Sequence, residues 1–174
     1  KSKTDLPLPS ARLQRLRRSS SIRDLVAEST LSMNDFIYPV FIEENIKEKT
    51  PIATMPGIFR FPEQQAGAHI REASGNGIRA VMLFGVSHTK DEEGRDSLVP
   101  AGLLGRMIRR MKDTVPEATV IADLCFCGYT THGHCGPLDA HGHVDNDRTL
   151  ENLQKQAVVA AEAGADMVAP SGMM

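Results

Sequence analysis

Residues 119–136 read Thr119-Val120-Ile121-Ala122-Asp123-Leu124-Cys125-Phe126-Cys127-Gly128-Tyr129-Thr130-Thr131-His132-Gly133-His134-Cys135-Gly136. Thr119 to Cys125 is short, apolar and rich in strand-forming residues. It lacks strict polar–apolar alternation, so it reads as a strand buried on both faces, as in a parallel sheet. Three further runs share this character: Phe36 to Ile42, Ile78 to Gly85, and Asp166 to Ser171. Helical patterns separate them over Pro62 to Ser74, Ala101 to Thr114, and from Asp147 or Thr149 to Gly164. In the second, Leu103, Leu104, Met107, Ile108 and Met111 share one side, with Arg106, Arg109, Arg110 and Lys112 mostly opposite. In the third, Leu150, Leu153, Ala157, Val158 and Ala161 form the expected apolar face, and Gly164 ends it. Repeated strand–helix units mean right-handed crossovers and a parallel sheet, an α/β fold.

The connections are unequal. Helix-to-strand links are tight, as in Gly75-Asn76-Gly77 and Gly164-Ala165, whereas strand-to-helix links are long: Glu43 to Phe61, Val86 to Pro100, and Phe126 to Asn146. Long loops at the carboxyl ends of parallel strands are where barrel and open α/β enzymes build their sites. The chain carries neither GxxxxGK[ST] nor a GxGxxG after a strand, which argues against an NTPase or a Rossmann dehydrogenase.

All three cysteines, Cys125, Cys127 and Cys135, fall in one 11-residue window at the start of this last loop. Strand alternation puts Asp123, Cys125 and Cys127 on one face, with Leu124 and Phe126 on the other. Gly128 and Gly133 free the loop to fold back and deliver Cys135. Three soft sulfur ligands favour zinc, and three rather than four leave a position for water or substrate. Two alternatives stay open: His132 or His134 completes a closed site, or the thiols hold no metal. Asp123, beside such a cation, would stay ionised and could relay a proton, or simply fix the loop by hydrogen bonds. Ser171, at the end of the fourth strand, is placed to offer a hydroxyl. His69 and His88 read as structural.

The chain has 174 residues, 41% hydrophobic and 24% charged, the profile of a soluble globular protein. It has no membrane-span-length apolar run and no signal-peptide pattern, so a cytoplasmic protein without a membrane partner is expected. Net charge is −2, unevenly spread: residues 1–23 hold seven Lys or Arg against one Asp, the remainder thirteen against twenty-one acids. Without aromatics to stack on bases, this basic segment reads as an arm on an acidic neighbouring subunit or in solvent; nucleic acid is not the expected partner.

Asp123-Leu-Cys-Phe-Cys-Gly-Tyr-Thr-Thr-His-Gly-His-Cys-Gly136 resembles the zinc-binding segment of the porphobilinogen synthase (δ-aminolevulinic acid dehydratase) family. Matching segments run along nearly the whole chain, including Arg15-Leu16-Arg17-Arg18, Tyr38-Pro39-Val40-Phe41, Met55-Pro56-Gly57, Leu83-Phe84-Gly85-Val86 and Ala169-Pro170-Ser171. The resemblance implies a (β/α)8 TIM barrel, with about the first four βα units in residues 23–174 and an extended basic arm in residues 1–22. It implies a lyase that condenses two 5-aminolevulinate molecules to porphobilinogen. Cys125, Cys127 and Cys135 would hold zinc, Asp123 and Ser171 would lie in the proton-transfer neighbourhood, and an additional magnesium belongs to the complete enzyme. The assembly implied is a homo-octamer embraced by the arms. Gly128 and Gly172 depart from residues common in the family.

A larger departure concerns lysine. The family's chemistry needs two Schiff-base lysines, and Lys47, Lys49, Lys90, Lys112 and Lys155 match neither position. Such a lysine must be desolvated to lower its pKa, and these five lie in polar loops or on helix surfaces. The expectation is therefore an N-terminal half, inactive alone, with both lysines beyond Met174. The rival readings are a non-catalytic zinc-binding paralogue, a nucleic-acid binder using the arm, and another zinc-dependent barrel lyase or aldolase.

Overall fold

A computed structural model describes residues 13–174, so the greater part of the expected arm over residues 1–22 lies outside the described residues. The chain divides into two compact units at Ser32/Met33. In the first, a 3-10 turn over Leu13–Arg17 precedes α1 (Ser20–Leu25). Ser19 caps this helix; its hydroxyl accepts from the Ile22 amide at 3.2 Å, satisfying one of the free N–H groups of the first turn.

The second unit is built on a six-stranded sheet of β1 (Ile37–Glu43), β2 (Thr50–Pro51), β3 (Phe59–Pro62), β4 (Ala80–Val86), β5 (Thr119–Leu124) and β6 (Met167–Pro170). The order is β2-β3-β1-β4-β5-β6; β2 runs antiparallel to β3 and every other pairing is parallel. Helices α2 (Ala66–Gly75), α3 (Leu103–Thr114) and α4 (Asn146–Glu162) link β3, β4, β5 and β6 in turn. This is about half of a (β/α)8 barrel. Among the described residues no helix is long and apolar enough to cross a membrane.

The core lies between sheet and helices. Val40, Ile42, Val81, Leu83, Val120 and Ala122 meet Ile70, Leu104, Met107, Ile108 and Ala160, all essentially without solvent contact. Each large side chain among them contributes about 1.5–3 kcal/mol by burial. The opposite face of the same strands is only half covered, which corrects the expectation of strands buried on both faces. Helices pack against one side only, and β6 is largely exposed. That open face is the barrel interior. Register puts Arg60 beside Phe41 and Phe41 beside Phe84, whose rings stack at 5.0 Å. Asp123 follows the Leu83–Ala122 pair and so extends the same row.

Three sequence expectations need correction. The loop over Glu43 to Phe61 contains β2 and β3, and the helix expected from Pro62 starts at Ala66, because Phe59–Pro62 is drawn into the sheet. The cap of α4 is Asp145, whose carboxylate accepts from the Arg148 amide at 3.1 Å, in place of Asp147 or Thr149. Finally, α4 turns Thr149, Asn152, Gln156, Val159 and Ala160 inward, leaving Leu150, Val158 and Ala161 of the apolar stripe exposed. The inward polar groups meet the loop after β5, which needs hydrogen-bond partners more than apolar cover. Gly164 does end α4, at φ +97°.

Candidate metal centre

Strand β5 stops at Leu124, so Cys125 and Cys127 stand beyond it rather than within it. The chain turns at once: the Tyr129 and Thr130 amides both donate to the Phe126 carbonyl, at 2.8 and 2.9 Å. Alternation nevertheless persists through the turn. Leu124 and Phe126 are buried, while Asp123 and Cys125 are half-buried and Cys127 is exposed on the other side. The Thr130 hydroxyl, 2.9 Å from the His134 carbonyl, then draws the returning loop inward. Cys135 arrives beside its partners. Sulfur–sulfur distances are 3.2 Å for Cys125–Cys127 and 3.0 Å for Cys127–Cys135, and all three ligand atoms lie within 4.8 Å of one another.

The loop is held from beneath. The Ser87 amide donates to the Gly128 carbonyl at 3.0 Å, and Gly128 approaches the Gly85 carbonyl so closely that a Cβ would collide with it. That approach explains glycine at 128 in this chain. Tyr129, 3% exposed, fills the space above Gly85, where a side chain would strike its hydroxyl. From α4, the buried Gln156 amide donates to the Cys125 carbonyl at 3.2 Å.

Electrostatics favour the protonated form of two of the thiols, Cys127 and Cys135. Burial pushes the Cys127 thiol far up, and the adjoining Cys135 and Cys125 sulfurs add to the effect. At Cys135 the contact with Cys127 acts downward, but burial and its neighbours Cys125 and Asp123 outweigh it. A divalent cation bound here would be held by Cys125, Cys127 and Cys135 and would favour their thiolate forms. The donor set therefore fits a soft ion such as zinc. Asp123 is raised by burial and partly lowered by a hydrogen bond from Ser171, so the two residues expected near proton transfer are in contact.

The histidines separate from the cluster. His132 places Nε2 3.0 Å from the Glu92 carbonyl, and its Nδ1 accepts from the His134 amide at 3.1 Å, which leaves neither nitrogen for a metal. His134 stacks on the His132 ring at 5.5 Å. Among the described residues, the metal-competent group comprises the three cysteines alone. His69 sits 2.9 Å from the Tyr38 hydroxyl and stacks on Phe61, and His88 lies 3.0 Å from Glu43.

Beside the thiols opens a cavity of about 300 Å³, lined by Phe41, Phe84, Arg60, Asp123, Cys125 and Cys127 among others. No lysine is among its described lining residues. Lys112 instead pairs with Asp166 at 3.0 Å, Lys155 with Asn152, and Lys49 lies over the Phe59 ring. Sequence reasoning missed Arg60, Tyr129 and Gln156. For Arg60 the available signal was the alternation Phe59-Arg60-Phe61; a buried glutamine in a helix carries no such signal.

Comparison with known proteins bears on this geometry. The delta-aminolevulinic acid dehydratase family matches residues 10–174. The Escherichia coli K12 delta-aminolevulinic acid dehydratase is 53% identical over 163 residues, covering 94% of this chain and 50% of the relative. The Archaeoglobus fulgidus protein of the same name is 43% identical over 166 residues, covering 95% of this chain and 51% of its own. A crystal structure of the Toxoplasma gondii delta-aminolevulinic acid dehydratase (porphobilinogen synthase), in complex with the reaction product porphobilinogen, superposes with a TM-score of 0.88. It is 37% identical, covering 97% of this chain and 48% of that one. The chain thus spans about half the length of these relatives, and it belongs to the delta-aminolevulinic acid dehydratase family.

Proposed function

We propose that residues 1–174 are the N-terminal half of a zinc-type porphobilinogen synthase, a lyase that condenses two 5-aminolevulinate molecules with loss of two waters in tetrapyrrole synthesis. The observation that carries this reading is the convergence of Cys125, Cys127 and Cys135 beside Asp123 at the carboxyl ends of the parallel strands. Zinc, when bound, supplies Lewis-acid polarisation and orientation of one substrate molecule.

This chain's own residues do the rest of their share. The Phe41–Phe84 stack supplies an apolar part of the cavity wall. Asp123, held by Ser171, accepts and returns a proton at its carboxylate. The two Schiff-base lysines and an additional magnesium site belong to the remainder of the barrel. The basic residues 1–22 form an arm that clasps a neighbouring subunit of a cytoplasmic homo-octamer, with residues 23–174 as the first half of the barrel. No nucleic-acid or membrane partner enters this reading.

The test uses the complete protein. It forms porphobilinogen from 5-aminolevulinate, whereas the 174-residue chain alone forms none. Cys125→Ala abolishes stoichiometric zinc binding; retention of one zinc per site at native affinity would overturn the ligand assignment. The rival reading is a zinc-binding truncated paralogue without catalysis. A gene that continues past codon 174 into the two lysines eliminates it, and a stop codon there favours it.

A further inference from the structure

We propose that Glu44 is a positioning residue for the metal centre: its buried carboxylate fixes residues 87–89 against the metal loop and so sets where Cys127 stands. The inference rests on the zinc-site reading above and adds a residue to it. Glu44 follows the last residue of β1, and its amide donates to the Val86 carbonyl at the end of β4, at 3.0 Å. Its side chain then grips the segment that comes next. One carboxylate oxygen, Oε2, accepts from the His88 amide at 2.8 Å, the Ser87 hydroxyl at 3.3 Å and the Thr89 hydroxyl at 3.5 Å. The Ser87 hydroxyl in turn accepts from the Thr89 amide at 3.0 Å. The other oxygen, Oε1, accepts from Arg106 of α3 at 2.7 Å.

The far side of the same segment carries the metal loop. The Ser87 amide donates to the Gly128 carbonyl at 3.0 Å. Further along, the Asp91 amide donates to the Tyr129 carbonyl at 3.4 Å, and the Asp91 carbonyl accepts from the Thr131 amide at 3.0 Å. The chain from Ser87 to Asp91 is therefore held by Glu44 on one side and holds the loop after Cys127 on the other. Taking a carboxylate out of water is costly unless donors replace its hydration. Three of the four donors that do so here come from Ser87, His88 and Thr89, the fourth from Arg106.

The centre is thus supported from two directions. Gln156 of α4 fixes the Cys125 carbonyl, whereas the Glu44 side fixes Gly128, next to Cys127. The same ion-pair network supplies its own control. Glu63 is as deeply buried as Glu44 and shares Arg106, at 3.2 Å, but its described partners, Arg106 and Arg110, both belong to α3. If the network served stability alone, the two glutamates would be equivalent toward the metal.

The experiment compares the complete protein with its Glu44→Gln, Glu63→Gln and Ser87→Ala variants. A glutamine amide keeps one acceptor oxygen, so at position 44 it cannot serve both Arg106 and residues 87–89. Zinc affinity is read by competition with a chelator. Cobalt is then substituted for zinc, so that sulfur-to-cobalt charge-transfer absorption reports the bound thiolates. Glu44→Gln is expected to lower zinc affinity at least about tenfold and Glu63→Gln less than about threefold, the former being the low end of losses when groups supporting metal ligands are removed. The cobalt band per bound ion weakens in Glu44→Gln, as Cys127 leaves the ion, and is unaltered in Glu63→Gln. If Glu44→Gln fails to fold, Ser87→Ala carries the test, with an expected loss of about threefold or more in zinc affinity. Zinc affinity no lower in Glu44→Gln than in Glu63→Gln, an unaltered cobalt band in Glu44→Gln, or an unchanged Ser87→Ala where that variant carries the test, overturns the role of Glu44 alone. A parent protein that binds no zinc at its cysteines overturns the site reading, and this inference with it.

Discussion

The side-chain amide of Gln156, fully buried in α4, donates to the main-chain carbonyl of Cys125 at 3.2 Å. It connects the helix layer to the first thiol of the cluster across the end of β5. Replacement by leucine leaves that carbonyl without its partner. Gln156→Leu is expected to cost about 1–3 kcal/mol, the range for an unsatisfied buried acceptor. Denaturant titration reads this as a lower midpoint at an unchanged slope, and a zinc competition assay reads a weakened affinity. An unchanged midpoint would show that the loop holds Cys125 without help from α4.

Gly136, next to Cys135, abuts the buried Thr149 side chain, and a Cβ there would collide with it. Thr149 is itself fixed, its hydroxyl donating to the Asp145 carbonyl at 2.6 Å. Gly136→Ala should therefore shift Cys135 away from its partners and lower zinc affinity at least about tenfold, roughly 1.4 kcal/mol. Adding Thr149→Ala opens space and recovers part of the affinity. If the double variant binds zinc no better than Gly136→Ala, the obstruction lies elsewhere.

Glu44 shows how charge holds the loops after β1 and β4. Burial alone pushes its carboxyl up, but the His88 amide at 2.8 Å, the Arg106 guanidinium at 2.7 Å and the Ser87 hydroxyl together bring it below the ordinary 4.5. A folded-state value below the unfolded one means stability that is fully present above about pH 4.5 and is lost as pH falls through the lowered value. Chemical denaturation at stepped pH from 7 to 3 should show that loss. Glu44→Gln should be less stable at pH 7 and show a shallower fall. An equally steep fall in the variant would assign the acid limb to other carboxylates, of which Asp166 is a candidate, its carboxylate also held low by the Val120 amide at 2.7 Å and by Lys112.

The two neighbours Val158 and Val159 offer a direct check on the facing of α4. Val158 is 55% exposed and Val159 only 5%. Val158→Ser is expected to change stability by less than about 0.5 kcal/mol, and Val159→Ser to cost about 1–3 kcal/mol. Comparable losses at both positions would mean that the helix is rotated from the orientation described.

Much of this was readable from residue order, for identifiable reasons. The strands β1, β4 and β5 announce themselves because each buries apolar residues against the helices, and β6, though largely exposed, carries the same kind of apolar run. The thiols were readable as a group because CxC on an extended chain repeats on one side, and the side survives even though Cys127 lies in a turn. Strand β3 was not readable. It has four residues, it ends in Pro62, and its pairing with β1 is a contact between chain segments that periodicity alone does not encode. The facing of α4 was misread because its inward side is chosen by hydrogen bonds to Cys125 and the loop, which outrank the apolar count of Leu150 and Val158.

The hairpin that brings β3 to β1 has one more effect. On that edge of β1, β3 takes the ladder from Phe41 to Glu43 only, and Ile37 to Val40 stay open. Any strand that closes the cylinder along this edge meets a ladder already occupied at the top and can zip only below Phe41. Pairing along this edge of β1 is thus divided between β3 above, from Phe41 to Glu43, and a stretch of free backbone below, from Ile37 to Val40.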